Sequence, residues 1–401
     1  MTGSGLLPLA EAQQRLLALP NPTPIVELPL ASCIGHYLAH PLNAARRQPA
    51  ADMSAMDGYA IRWADRPGPW AVVGESAAGR PFHAALRPGE AARISTGAIA
   101  PQGADTILVQ EDAERAGDTL HLAADGPSRQ GAHIRPAGHD FEPDTPLAPA
   151  GAPIDARLIA LAAMAGHGSL PVHRRVRVAI LSTGDELVPP GAPLPSPAHI
   201  PASNGAMLAA LLAHWPIDAT LPPIVPDRLD AVAEALAAQS DADLIVTTGG
   251  ASVGDHDLIQ PALAQLGGSV DFWRIAMRPG KPVMVARLGK AVVVGLPGNP
   301  VSAFVTAQML VLPLLRAMLG ASEALPRTSE LPAGAPFPAV GGRQDFVRSR
   351  IIDGAIHPLG NQDSGALHAL WQADALAIRP AHAPEAAIGS PVSCMMLSRE
   401  A

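Results

Sequence analysis

The stretch DLIVTTGGASVGDHD, residues Asp243 to Asp257, decides the reading of this chain. Leu244 to Thr247 is a short apolar run with β-branched residues, long enough for one buried strand. It breaks into Thr248-Gly249-Gly250-Ala251-Ser252-Val253-Gly254, followed by Asp255 and Asp257. The apolar spacing Leu258, Ile259, Leu263, Leu266 then opens a helix. Strand, glycine-rich turn and helix start together form a cradle for an anion. Glycines let the backbone approach closely, and free N–H groups at a helix start point at negative charge. Acids beside such a turn suit Mg²⁺ bridging them to phosphate. The same pattern also describes an ordinary strand-to-helix turn whose Asp residues cap the helix. This stretch alone leaves both readings open.

Outward from it, strands and helices alternate from Arg174 onward. Strands are expected at Val176 to Leu181, Leu221 to Val225, Val283 to Ala286 and Ala291 to Val294. Helices are expected at Asn204 to His214 with Ser203 as N-cap, at Leu229 to Ala238, and at Val301 to Leu319. Alternation of this kind implies a mostly parallel, doubly wound sheet, with ligands beyond the carboxyl ends of the strands. Upstream, Leu9 to Leu19 and Pro153 to Ala165 carry helical spacing. The region between them reads as short strands (Ala71 to Val73, Ala91 to Ile94, Thr106 to Val109) punctuated by Gly and Pro. A proline- and glycine-rich connector, Ala324 to Gly342, precedes a last β unit. Its strands are expected at Phe346 to Ile352, Ala375 to Arg379 and Val392 to Leu397.

The expected fold is therefore multidomain α/β plus β. Residues 1–26 and 141–173 form a split, elongated linker domain, and 27–140 an inserted, mostly β domain. Residues 174–322 form a three-layer α/β domain and 323–401 a C-terminal β domain. The 401 residues, 48% hydrophobic with mean hydropathy +0.18, supply ample core. Proline (43) and glycine (37) together stay below the roughly 25–30% that marks low complexity. A net charge of −8 gives no footprint for nucleic acid. Two distant cysteines, Cys33 and Cys394, exclude a disulfide framework and fit a reducing, cytoplasmic setting. The N-terminus lacks the basic start of a secretory signal. The apolar run Val301 to Leu319 contains Gln308, Pro313 and Arg316 and reads as a core helix rather than a membrane span.

Three more stretches can carry chemistry. Ser182-Thr183-Gly184-Asp185-Glu186-Leu187 ends the first α/β strand with acids able to hold Mg²⁺ or a nucleotide hydroxyl. Arg274, Arg278 and Lys281 lie within WRIAMRPGKPV and suit phosphate or another oxyanion. Gly295-Leu296-Pro297-Gly298-Asn299-Pro300 joins a strand to the long helix, with Pro300 at a first helical position and Asn299 as N-cap. In the β insertion, Asp57 and Ser95-Thr96-Gly97 read singly as turn chemistry. No HExxH or Walker A pattern is present.

Together and in this order, MSAMDGYA, RISTGAIAPQGADTILVQED, ILSTGDEL, the helix start at Ser203-Asn204, TTGGASVGDHD, RPGKPV, GLPGNPVSA, GGRQDFVRSR and QDSGALHALWQADAL resemble the molybdopterin molybdenumtransferase family. That family comprises the bacterial MoeA proteins and the E domain of gephyrin and its plant counterpart. The resemblance runs from about residue 5 to the end. It implies four domains per subunit, a MogA-like α/β domain, and an elongated homodimer with its active site between subunits. It implies insertion of molybdate into adenylylated molybdopterin, with release of AMP and a need for Mg²⁺. By motif it places functional residues at Asp57, Thr96, Glu186, Asp227, Asp257, Lys281 and Ser364, with Glu186 and Asp257 expected to position the metal. Gly249, Gly250, Ser252, Pro297, Gly298 and Asn299 are expected on the substrate side. Arg274 and Arg278 stand where relatives often carry lysine. Expected partners are a second copy of the chain, a molybdopterin adenylyltransferase upstream, and molybdoenzymes or their chaperones downstream, with no nucleic acid and no membrane. The rival readings are adenylyl transfer to molybdopterin and a non-catalytic molybdopterin-binding scaffold.

Overall fold

The computed structural model describes residues 6–249 and 258–397. At its centre is a six-stranded sheet in the order Ile217–Thr220, Val176–Ser182, Leu244–Thr248, Ala291–Leu296, Met284–Leu288, Ser269–Trp273. The first four strands run parallel, and Met284–Leu288 runs antiparallel to both of its neighbours, Ala291–Leu296 and Ser269–Trp273. Every residue of Leu244–Thr248 and of Ala291–Leu296 is buried, so neither sequence shows the apolar–polar alternation of a half-exposed strand. Successive side chains still go to opposite faces. Val178, Ile180 and Val246 meet the helices Ser203–Leu212, Pro300–Thr306 and Leu312–Met318. Ala179, Leu181 and Ile245 meet Leu229–Ala237 and Ile259–Gln265. Two helical layers around one mostly parallel sheet is the doubly wound arrangement read from the alternation.

Local differences have identifiable causes. The strand expected at Leu221 to Val225 lies earlier, at Ile217–Thr220. Pro222 and Pro223 carry no N–H for a ladder, and Val225 makes only an isolated bridge to Thr183. The antiparallel edge strand Ser269–Trp273 has no counterpart among the expected strands. Ser203 is the first helical residue, and Ala202 occupies the cap position. Asn299 sits at its cap with Pro300 at the first turn, but its side chain does not cap. The long apolar run is not one uniform helix. It is α-helical over Pro300–Thr306, takes a π-helical turn over Ala307–Val311 and resumes over Leu312–Met318. Pro313 cannot donate to the carbonyl four residues back, that of Met309. The Gln13 side-chain amide donates to it instead, at 2.9 Å, from helix Leu9–Leu17. The run is long and apolar enough for a membrane span, yet 78% of its most apolar window is buried inside the protein.

Strand Ile25–Pro29 pairs antiparallel with Ser169–His173, and Leu42–Asn43 with Pro146–Ala148. Chain segments more than 100 residues apart thereby share one core of Leu38, Leu42, Leu158, Leu170 and Val172. Helix Ala156–Met164 in this body is capped by Asp155, which accepts from the amides of Arg157 and Leu158. Beyond a short neck, where Met53–Ser54 pairs with Ile134–Arg135, lies a separate six-stranded sheet. Its strand Gly58–Ile61 runs between Glu90–Ile94 and Thr106–Val109. The C-terminal unit is a mixed sheet in which Met277–Arg278, from the α/β segment, pairs parallel with the start of Gln344–Ile352.

Gly58 marks the tightest contact in the inserted sheet. A Cβ there would fall 2.1 Å from the Leu108 carbonyl oxygen, which belongs to backbone and cannot rotate away. Gly58→Ala is expected to cost about 1–3 kcal/mol, as overpacking does. It should appear as a lowered thermal transition of this unit, with the helical circular dichroism of the α/β domain retained. An unchanged melting profile would contradict the strand register.

Candidate active site

Three parallel strands end side by side. Strand Val176–Ser182 leads to Thr183, Leu244–Thr248 to Gly249, and Ala291–Leu296 to Pro297. The space beyond them is a cavity of about 500 Å³, lined by Thr183, Glu186, Asn204, Gly249, Gly298 and Asn299 among others. Gly249 has φ +92°, and a Cβ on it would meet the Thr183 carbonyl at 2.5 Å, so glycine is needed for conformation and for space. Asn204 donates its side-chain N–H to the Gly298 carbonyl at 2.7 Å. Since that carbonyl can only accept, the Asn204 amide orientation is fixed, and its Oδ1 is left as a buried acceptor. The Thr183 hydroxyl is likewise buried without a hydrogen-bond partner. Buried polar atoms with no protein partner are the exception in folded proteins. Two of them here mark a site built for a polar ligand.

Glu186 brings a carboxylate to the wall of this cavity. Asp185 and Asp227 tie its loop down: the Asp227 amide donates to Asp185 at 3.1 Å, and the Asp185 amide to Asp227 at 3.4 Å. Asp227 thus buttresses the loop that carries Glu186 and does not line the cavity.

A second cavity, of about 330 Å³, adjoins the first, and Pro282 lines both. Its walls carry the cations Arg278, Lys281 and Arg343, the hydroxyls of Ser302 and Ser364, and Asp345. Arg278 pairs with Asp345 at 2.5 Å. Asp345 is buried, and that burial pushes its carboxyl above the ordinary value although Arg278 pulls the other way. Gly280, φ +108°, lets the loop pass Thr306, whose hydroxyl a Cβ would meet at 2.4 Å. Ser364 joins the two cavities. Its hydroxyl accepts from the Asn299 side chain at 3.1 Å, and its carbonyl from the Val301 amide at 3.1 Å. The loop before Ser364 is held from beneath by Arg348, only 2% exposed, which donates to the carbonyls of Asp363 and Asn361 at 2.9 and 3.1 Å. Gln362 closes the clamp with bonds to the Arg348 amide and carbonyl.

The structure therefore brings together Glu186, Gly249, Pro297, Gly298 and Asn299 in one cavity, and Arg278, Lys281 and Ser364 in the other. Gly250, Ser252 and Asp257 lie outside the described residues. Arg274 does not line either cavity; its backbone joins Leu7 to Val283, with φ +68°. Asp57 and Thr96 also lie apart from both, in the inserted sheet. Sequence reasoning missed Asn204, Arg343, Asp345 and Arg348. The visible signal was a strand, QDFVRSRII, with charges at positions the structure buries.

Asp57 accepts the Thr96 amide at 2.6 Å, and that amide, then the Thr96 hydroxyl, hold its carboxyl below the ordinary value. A depressed carboxylate stays ionised below the ordinary carboxylate pKa, and its bond is lost only as pH falls through the depressed value. Carboxyl NMR titration should therefore place Asp57 below an ordinary aspartate, and Thr96→Val should move its midpoint back up. A midpoint at the ordinary value would show that the bond does not form in solution.

Three family descriptions match the chain in order: "MoeA N-terminal region (domain I and II)" over residues 7–166, "Probable molybdopterin binding domain" over 179–317, and "MoeA C-terminal region (domain IV)" over 330–397. A protein of Nostoc sp. named molybdopterin molybdenumtransferase is 35% identical over 392 residues, covering 94% of this chain and 87% of that protein. Its namesake from Haemophilus influenzae is 36% identical over 319 residues, 79% of this chain and 78% of the relative. The solved structure of a molybdopterin biosynthesis MoeA protein from Pyrococcus horikoshii aligns with TM-score 0.82 at 27% identity, over 99% of this chain and all of that one. The chain belongs to the molybdopterin molybdenumtransferase family.

Proposed function

We propose that this protein inserts molybdate into adenylylated molybdopterin and releases AMP. The observation that carries the reading is the pair of adjoining cavities with different chemistry. One offers backbone, amide and hydroxyl groups with a single acid on its wall; the other offers three cations and two hydroxyls. The first suits the neutral pterin and its phosphate ester. The second suits a small tetrahedral dianion, which Arg and Lys recognise through charge-assisted bonds. Ser364, bonded to Asn299, holds the two sites in register. Molybdate seated against Lys281 and Arg343 would face the dithiolene across Pro282, an arrangement in which proximity supplies much of the rate.

Mg²⁺ belongs to the same proposal. Glu186 would supply one carboxylate, and a divalent ion there would polarise the phosphoanhydride. Among the described residues no group of three acids, histidines or cysteines converges on one point. A homodimer is proposed because Asp57 and Thr96 lie away from both cavities of their own chain; the second copy would present them to the cleft. A reducing compartment such as the cytoplasm agrees with two buried free thiols, Cys33 and Cys394.

The deciding measurement is AMP release from adenylylated molybdopterin, with and without molybdate and Mg²⁺. Release that depends on molybdate is expected. Adenylylation of free molybdopterin from ATP, without molybdate-dependent release, would favour an adenylyltransferase, and tight pterin binding with neither reaction would favour a scaffold. Lys281→Gln should lower molybdate-dependent release about 10–100-fold, the loss of one charge-assisted hydrogen bond of about 1.5–3 kcal/mol. Raised molybdate should partly restore it.

A further inference from the structure

A third cavity, of about 610 Å³, opens where three parts of the molecule meet, and it shares no lining residue with the two described above. Tyr37 and the segment near Gly151 come from the split body. Trp215 and Arg316 come from the α/β domain, and Arg327, Met395 and Met396 from the C-terminal unit. None of the motifs that led to the strand-end cavities reaches it.

Arg316 is its centre. It leaves the last turn of helix Leu312–Met318, and its guanidinium lies over Trp215 at 4.9 Å. Its Nη1 donates to the Ala324 carbonyl at 3.1 Å, and Tyr37, stacked on Trp215 with centroids 6.4 Å apart, lines the cavity beside it. Arginine has five N–H donors, and these contacts leave several unused. Among the described residues no carboxylate comes within ion-pair distance of Arg316. The acid in the cavity wall, Glu323, pairs with Arg327 at 3.2 Å. A cation drawn out of water without a counter-charge is costly. Burial holds the Arg316 guanidinium below its usual range, and the charge on Arg327 adds to the effect. An anion entering the cavity would relieve both.

We propose that this cavity binds a small organic anion, a carboxylate or a phosphate monoester on an apolar body. The anionic group would sit between Arg316 and Arg327, with the body against Met395 and Met396. Thioethers adapt to bodies of varied shape, and the guanidinium is preset on its aromatic platform. A ligand there touches all three parts of the molecule at once, so it stabilises their relative arrangement by the free energy of its own binding.

The test uses the intact protein and two probes, benzoate and phenyl phosphate, with inorganic phosphate as an anion lacking the apolar body. Calorimetry is expected to show one-to-one binding of at least one organic probe, tighter than inorganic phosphate. Which probe binds identifies the head group. The Lys281→Gln protein should bind it equally well, which separates this cavity from the strand-end sites. Arg316→Met should weaken it at least about tenfold, the scale of a lost charge-assisted bond. The exposed substitution Arg327→Gln, which leaves the core alone, should weaken it by a smaller factor. The proposal is overturned if neither organic probe binds, if neither arginine variant weakens binding, or if Lys281→Gln abolishes it.

Discussion

The two-residue ladder between Met277–Arg278 and Gln344–Asp345 is the contact on which the rest of the site depends. It is short, but it makes a segment of the α/β chain the edge strand of the C-terminal sheet. The Gln344 amide also donates to the Ala276 carbonyl at 2.9 Å, so the junction is anchored one residue further back. Everything downstream in the second cavity takes its place from this junction. Arg278 faces Asp345 because they are register partners, and Arg343 lies one residue before the ladder. Lys281 follows after the turn at Gly280. Without the ladder, the cations of one domain and the serine of another would share no fixed frame.

The fold was legible where the chain alternates clearly. Leu244 to Thr247 and Ala291 to Val294 read as buried strands because no charge interrupts them, and they are buried throughout. The helix start at Pro300 was visible from its proline. The break inside that helix was not. A proline in an apolar run signals a kink, but the partner that rescues the freed carbonyl, Gln13, lies 296 residues away. The strand at 217–220 was misplaced because the apolar character of Leu221, Ile224 and Val225 outweighed two prolines in the reading.

The site divides the same way. Glycines that follow a strand and precede a helix announce themselves locally, and Gly249, Gly298 and Asn299 were picked out from the strand–turn–helix pattern. Arg343, Asp345 and Arg348 were not, because their importance comes from pairing across domains. Within their own strand they look like ordinary charges. Asn204 was quoted only as a helix start. Its position facing Gly298 arises because the loops after two different strands meet, a fact of sheet order and not of local sequence.

The Asn299–Ser364 bond has a consequence for which ions the second cavity admits. A hydroxyl that accepts a hydrogen bond keeps its own proton available to give. Held by Asn299, the Ser364 oxygen has its acceptor side engaged and its O–H turned to other use. Arg278, Lys281 and Arg343 are donors only. The hollow therefore presents hydrogens from several directions and few free lone pairs, since the one buried acid in its wall, Asp345, is engaged by Arg278. An oxyanion that has shed all its protons at neutral pH satisfies every one of those donors. An ion such as hydrogen phosphate, which still has a proton to place, has only the Ser302 hydroxyl and the exposed Asp363 carboxylate to receive it. Proton inventory, as much as size or charge, sorts the tetrahedral ions that reach this wall.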